Sequence, residues 1–200
     1  SISLLPSQPV YAAAITVNTL VDNLIVDGSC SLREAITNAN NNNGARVDCA
    51  AGSGTDTITF AVNGTITLAS SMTTITDALT ITGNGTANTI IEASATPNTA
   101  SWRVFALNNP GTFQISDLTL RNGDTTTPDT TGGCVSLLTN ATLTLTNVTF
   151  TDCRAGGSGG GAISATSGGA VTINNSSFSG NNSANGTAGG GAVYINGGTN

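Results

Sequence analysis

Asp117, Arg121, Asp124, Asp152 and Arg154 fall near one another once the internal repeats of the chain are aligned. Carboxylates beside arginines are the equipment of acidic-polysaccharide cleavage, in which one carboxyl donates a proton while a second acts as base or nucleophile. Such a dyad needs a separation of about 5–9.5 Å in a groove, and Asp124 with Asp152 is the pair to test. Arg121 beside Asp152 reads more simply as a surface ion pair, worth about 0–1 kcal/mol. Asp124, Asp129 and loop carbonyls would suit Ca²⁺, yet the D-x-[DN]-x-[DN]-G spacing is missing. A second charged pair, Arg33 with Glu34, lies in CSLREAITNAN (30–40). The chain has no histidine, which excludes Ser-His-Asp hydrolysis, Cys-His nucleophiles and His-ligated zinc. Glycine runs at 156–161 and 189–191 lack the Lys and Ser/Thr that complete a phosphate loop, so no cofactor is expected.

The elements that would position these residues repeat along the chain. FQISDLTLRNG (113–123), LTLTNVTFTDC (143–153) and VTINNSSFSGN (171–181) superpose without gaps at offsets of 30 and then 28 residues. GGCVSL (132–137), GGAISA (160–165) and GGAVYI (190–195) recur between and after them. Leu143, Leu145 and Val148 alternate with Thr142, Thr144 and Thr146, the period-2 pattern of strands with one buried face. Units this short cannot bury their own apolar face and are stabilised by stacking, which predicts a right-handed parallel β-helix. TDTITF (55–60), GTITL (64–68) and ALTIT (78–82) read as shorter coils of the same helix. An antiparallel sandwich would show two-residue hairpin signals at regular spacing, and these are absent. Asp117, Asn147 and Asn175 share one repeat position, so they are expected to stack as a polar ladder at a strand-to-strand turn, with Leu120, Phe150 and Phe178 as an apolar column.

Charged residues make up only 8% of the chain, against about 25% in ordinary domains. Thr, Asn, Ser and Gly must therefore form the surface. With no lysine and a net charge of −6, there is no basic face for phosphates, so nucleic-acid binding is excluded. No apolar run reaches 18 residues, so no membrane span is expected. Residues 1–14, SISLLPSQPVYAAA, read as the remnant of a secretory signal or a leader, and the chain reads as a C-terminally truncated fragment. T-x-T pairs at Thr57/Thr59, Thr65/Thr67, Thr80/Thr82 and Thr142/Thr144 offer an ice-binding reading, but their spacing is irregular and Thr suits any solvent-facing strand.

Four cysteines suit an oxidising compartment and allow three pairings. Cys30–Cys49 and Cys134–Cys153 are the expected pair of bridges, each spanning 19 residues. Cys153 should sit one coil above Gly123, facing Cys134 across the mouth of the intervening loop. In the first half, Ser31 to Glu34 fits the S-x-x-E capping box and predicts a helix over 32–39, with Leu32, Ala35, Ile36 and Ala39 on one face. Segment 15–54 then reads as a cap closing the first coil of a helix that occupies 55–200, with Arg33 and Glu34 as parts of the helix terminus.

GGAIS (160–164), FSGN (178–181) and GGAVY (190–194) resemble the GGA[ILV]…FxxN repeats of the polymorphic outer-membrane protein family, although the preceding coil reads GGCV and FTDC. CSLREAITNAN followed by DCAAGSGTDTITF (48–60) is similar to the start of the bacterial CSLREA-domain proteins. The resemblance implies a secreted or surface-displayed bacterial β-helix of adhesive or structural role, and carries no catalytic triad onto this chain. The expected function is thus non-enzymatic: a stiff rod presenting the 121–132, 154–160 and 181–190 loops to a host-cell, glycan or self-association partner. A polysaccharide lyase or glycosidase and an ice-binding protein are the rival readings.

Overall fold

The computed structural model describes residues 12–126, 131–157, 159–166, 168–184 and 190–196. Leader residues 1–11, Asp129 and loop residues 127–130, 158 and 185–189 lie outside that set. In chain order the elements are β1 (Ala14–Val17), α1 (Leu32–Asn41), β2 (Asp56–Phe60), β3 (Gly64–Thr67), β4 (Leu79–Thr82), β5 (Thr89–Glu92), β6 (Phe105–Leu107) and β7 (Thr112–Arg121). They continue with β8 (Asp124–Thr125), β9 (Val135–Leu137), β10 (Thr142–Thr151), β11 (Arg154–Ala155), β12 (Ile163–Ala165), β13 (Ala170–Asn174), β14 (Ser177–Ser179), β15 (Asn182–Ser183) and β16 (Val193–Ile195). Parallel pairing of these strands builds a β-solenoid of about four turns. One wall is a nine-stranded sheet whose spine runs β1-β2-β4-β7-β10-β13; the others are β6-β9-β12-β16 and β8-β11-β15.

The repeat alignment is the register of the stack: Leu143 lies beside Phe113 and Val171, and Phe150 beside Leu120 and Phe178. The Phe150 and Phe178 rings stack with centroids 4.9 Å apart. Phe113, Ile115, Leu118 and Leu120 all point into the core, although the step from 115 to 118 breaks period 2. Asp117 explains the break. It takes the left-handed conformation (φ 56°), as Asn147 (54°) and Asn175 (47°) do on the next coils, and resets which side chains face inward. Asp and Asn adopt this conformation at less cost than other residues with a β-carbon.

The segments before residue 100 are organised differently from the sequence reading. TDTITF, GTITL and ALTIT are not three coils: β2 stacks on β4 and β3 on β5, so β2 with β3 forms one coil wall and β4 with β5 the next. Each pair corresponds to one long strand such as β7, which accepts β4 along its first half and β5 along its second. Loops 61–63 and 83–88 replace the single left-handed residue, which hides the period.

Helix α1 runs to Asn41, two residues past the expected end, and Asn42 (φ 49°) closes it with its amide on the Ala39 carbonyl at 3.2 Å. The Ser31 hydroxyl accepts from the Glu34 amide (3.2 Å), and the Glu34 carboxylate accepts from the Ser31 amide (3.1 Å). Leu32, Ala35, Ile36 and Ala39 are buried, and the helix packs on β1 and β2. Strand β1 pairs with β2 and is the first rung of the wall, so the helix follows the first rung rather than preceding it. The cysteines are joined as Cys30–Cys49 and Cys134–Cys153, with Cα atoms 4.8 and 5.4 Å apart.

Candidate functional site

The charged residues of the repeat occupy the solenoid's corners. At the first corner the Asn147 amide donates to the Asp117 carboxylate at 2.7 Å, one coil to the next. At the second, Asn122 (φ 59°), Asp152 (54°) and Gly180 (64°) again take the left-handed conformation on successive coils. A β-carbon on Gly180 would stand 2.1 Å from the Asp152 carboxylate. Asp124 is 2% exposed; it accepts the Thr126 amide at 2.9 Å and faces the Arg154 guanidinium at 3.7 Å. Arg154 is the rung partner of Asp124. The two proposed dyad members thus hold different parts of the frame, Asp124 a turn and an arginine, Asp152 a corner.

Arg121 does not pair with Asp152. Its guanidinium binds Glu92 at 2.7 Å, because Glu92 closes β5 on the rung beside Arg121, and the Thr67 hydroxyl donates to the other Glu92 oxygen at 2.6 Å. TIIE (89–92) and LTLR (118–121) end in opposite charges at equivalent positions, which is the signal in the sequence that identifies this pair. Among the described residues no three His, Cys, Asp or Glu side chains converge as metal ligands, and the Ca²⁺ candidate Asp129 lies outside them.

The two departures from the GGA…FxxN pattern are one change. Cys134 occupies the place of Ala162 and Ala192, and Cys153 that of Asn181, within a single coil. In the next coil the Asn181 side chain accepts from the Cys153 amide (3.0 Å) and donates to the Phe150 carbonyl (3.1 Å), tying the corner. Where Asn is replaced, the disulfide ties it covalently.

Outward threonines of the large sheet fall into columns despite their irregular spacing in sequence. Thr57, Thr80, Gln114, Thr144 and Thr172 stand side by side. Thr16 beside Thr59, and Thr82, Ser116 and Thr146 on later rungs, form the adjacent column. Hydroxyls meet along it at 3.3 Å (Thr16 and Thr59) and 3.5 Å (Ser116 and Thr82). Rungs are about 4.8 Å apart and alternate side chains along a strand about 6.6 Å. Thr65 and Thr67 stand outside these columns, beside Ile90 and Glu92.

Arg33 is more than a part of the helix terminus. Its Nε and Nη2 grip Asp22 at 2.9 and 2.6 Å, while Nη1 and Nη2 donate to the Ser71 and Ser70 carbonyls at 2.7 and 2.9 Å. Asp22 also accepts the Ala69 amide at 2.8 Å. One turn later, Asn40 donates to the Thr74 carbonyl and accepts from the Thr76 amide, each at 2.8 Å. Residues 69–76 are therefore fastened to the cap by two helix side chains, and their far side borders a cavity of about 340 Å³. Ser71 and Thr74 line one edge, Leu138 another, and Ala106, outward on β6, lies between. Trp102, with Ser101 and Arg103, completes the lining. The Trp102 Nε1 is satisfied by the Ala93 carbonyl at 3.2 Å, and Arg103 Nη2 by the Thr131 carbonyl at 2.9 Å. No repeat motif marks this site, because its residues come from three coils in segments between the aligned strands.

No helix among the described residues is long and apolar enough to cross a membrane. A scan of protein-family models returns no match to the chain, and searches of curated proteins and of solved structures return no significant match.

Proposed function

We propose that the chain is the rod of a secreted or surface-displayed, non-enzymatic protein that works by presenting its sides and loops to an extracellular partner. The observation that carries this reading is the employment of the candidate catalytic carboxylates in the frame: Asp124 is buried against Arg154 and a turn amide, and Asp117 receives Asn147. A general acid or nucleophile must face a groove where a scissile bond fits, and these carboxylates face their own neighbours. Two disulfides suit an oxidising compartment. Incubating the purified chain with pectin, alginate and hyaluronan, and measuring uronate unsaturation and reducing ends, should give no turnover; turnover lost on Asp124→Asn would overturn the reading. Binding to cells or immobilised glycans without turnover supports it.

A second reading, ice binding, is favoured by the in-register hydroxyl columns of the large sheet. A flat wall of threonines at a fixed two-way spacing can hold water in a regular layer. This reading requires inhibition of ice recrystallisation that Thr82→Leu or Thr144→Leu removes; inhibition absent from the unaltered chain discards it.

A further inference from the structure

We infer that the cavity bordered by Trp102 is a binding subsite for one neutral sugar ring of an extracellular glycan. The inference rests on the non-enzymatic binding function proposed above and names its partner class. A pyranose has an apolar C–H face and a polar rim, and the lining is divided in the same way. Trp102, Ala106 and Leu138 supply apolar surface, and Leu138 is 39% exposed although it is a large aliphatic side chain. Ser71, Thr74 and Ser101 supply hydroxyls for which the described residues provide no hydrogen-bond partner. Each hydroxyl can both donate and accept, which suits the mixed rim of a sugar. An apolar peptide side chain would leave those hydroxyls dry. A carboxylate ligand would gain no Lys from the lining, and its one guanidinium, Arg103, is 7% exposed and already holds the Thr131 carbonyl. Size agrees, since about 340 Å³ lies at the small end of ligand pockets, enough for one ring or two.

The site is rigid before anything binds. Indole Nε1 is fixed by Ala93, so the ring is oriented by a bond that does not involve ligand. The Ser71 and Thr74 carbonyls are held by Arg33 and Asn40, which leaves their side chains pointed by a braced backbone. Preorganisation of this kind lowers the entropic cost of binding.

Trp102 is the one tryptophan of the chain, so its emission reports the site directly. The full chain is titrated with gluco-, galacto- and N-acetylglucosamine oligosaccharides and, separately, with oligogalacturonate. A saturable change in emission is expected with at least one neutral series. Ala106→Phe, which fills the cavity from an outward position on β6 and keeps the reporter, should weaken that response at least 10-fold with the thermal midpoint unchanged. Trp102→Phe, followed by calorimetry, should weaken binding similarly. The inference fails if no neutral series responds at 10 mM, if only the uronate binds, or if Ala106→Phe binds like the unaltered chain. Adhesion to cells without any sugar response would sink this subsite and leave the proposed function standing. Sugar binding accompanied by cleavage would do the reverse.

Discussion

Replacing Arg33 with Met removes the guanidinium while keeping the length and apolar stem of the side chain. In the native chain that group makes four contacts under 3.0 Å, two to Asp22 and one each to the Ser70 and Ser71 carbonyls, with side-chain exposures of 9% for Arg33 and 1% for Asp22. Without it, the Asp22 carboxylate keeps only the Ala69 amide. Stranding one partner of a buried ion pair costs about 3–5 kcal/mol, a large part of the roughly 5–15 kcal/mol that holds a domain together. For a chain of this size the melting midpoint should fall by roughly 6–20 °C. Because solenoids unfold in segments, hydrogen exchange localises the loss: amides of 69–76 should lose protection before those of β7 and β10. The double variant Arg33→Met with Asp22→Leu removes both charges and should recover most of the stability. Full protection at 69–76 in Arg33→Met, with stability within about 1 kcal/mol of the parent, would refute the claim that this arginine braces that segment.

Ser31→Ala should cost about 1–2 kcal/mol in urea titration, because the hydroxyl serves two bonds, accepting from the Glu34 amide and donating to the Asn23 carbonyl at 2.8 Å; Ser31→Asp should keep the accepting half. Gly180→Ala forces a β-carbon into a left-handed corner (φ 64°) and should lose about 1–2 kcal/mol, whereas Gly180→Asn, matching Asn122 one column position away, should lose clearly less. Cys134→Ser with Cys153→Ser opens a 19-residue separation and should lower stability by about 3 kcal/mol on the chain-entropy estimate, with no change in far-ultraviolet circular dichroism at 20 °C.

The sequence by itself determined the stack and its second half in detail. Strand alternation is local, and repeats that superpose without gaps can satisfy every coil only by lying in register, so Leu143 beside Phe113 and Asn147 above Asp117 follow from the alignment. The capping box at Ser31 is equally local, being two hydrogen bonds within four residues. Both disulfides were legible as pairs, and the GGCV and FTDC departures become one substitution once their coil is closed. Tertiary structure alone decided which charges meet. Arg121 reaches Glu92 rather than Asp152, and Arg33 reaches Asp22 and the Ser70–Ser71 backbone, because ionic partners are set by which rung is adjacent and by where a helix docks. Loops 61–63 and 83–88 vary in length, so they conceal the first coils' period while leaving their strands in register. The Trp102 cavity is furthest from the sequence. Ser71, Thr74, Ala106 and Leu138 have no motif in common, and only the stacking of coils, with the cap braced against 69–76, brings them to one place.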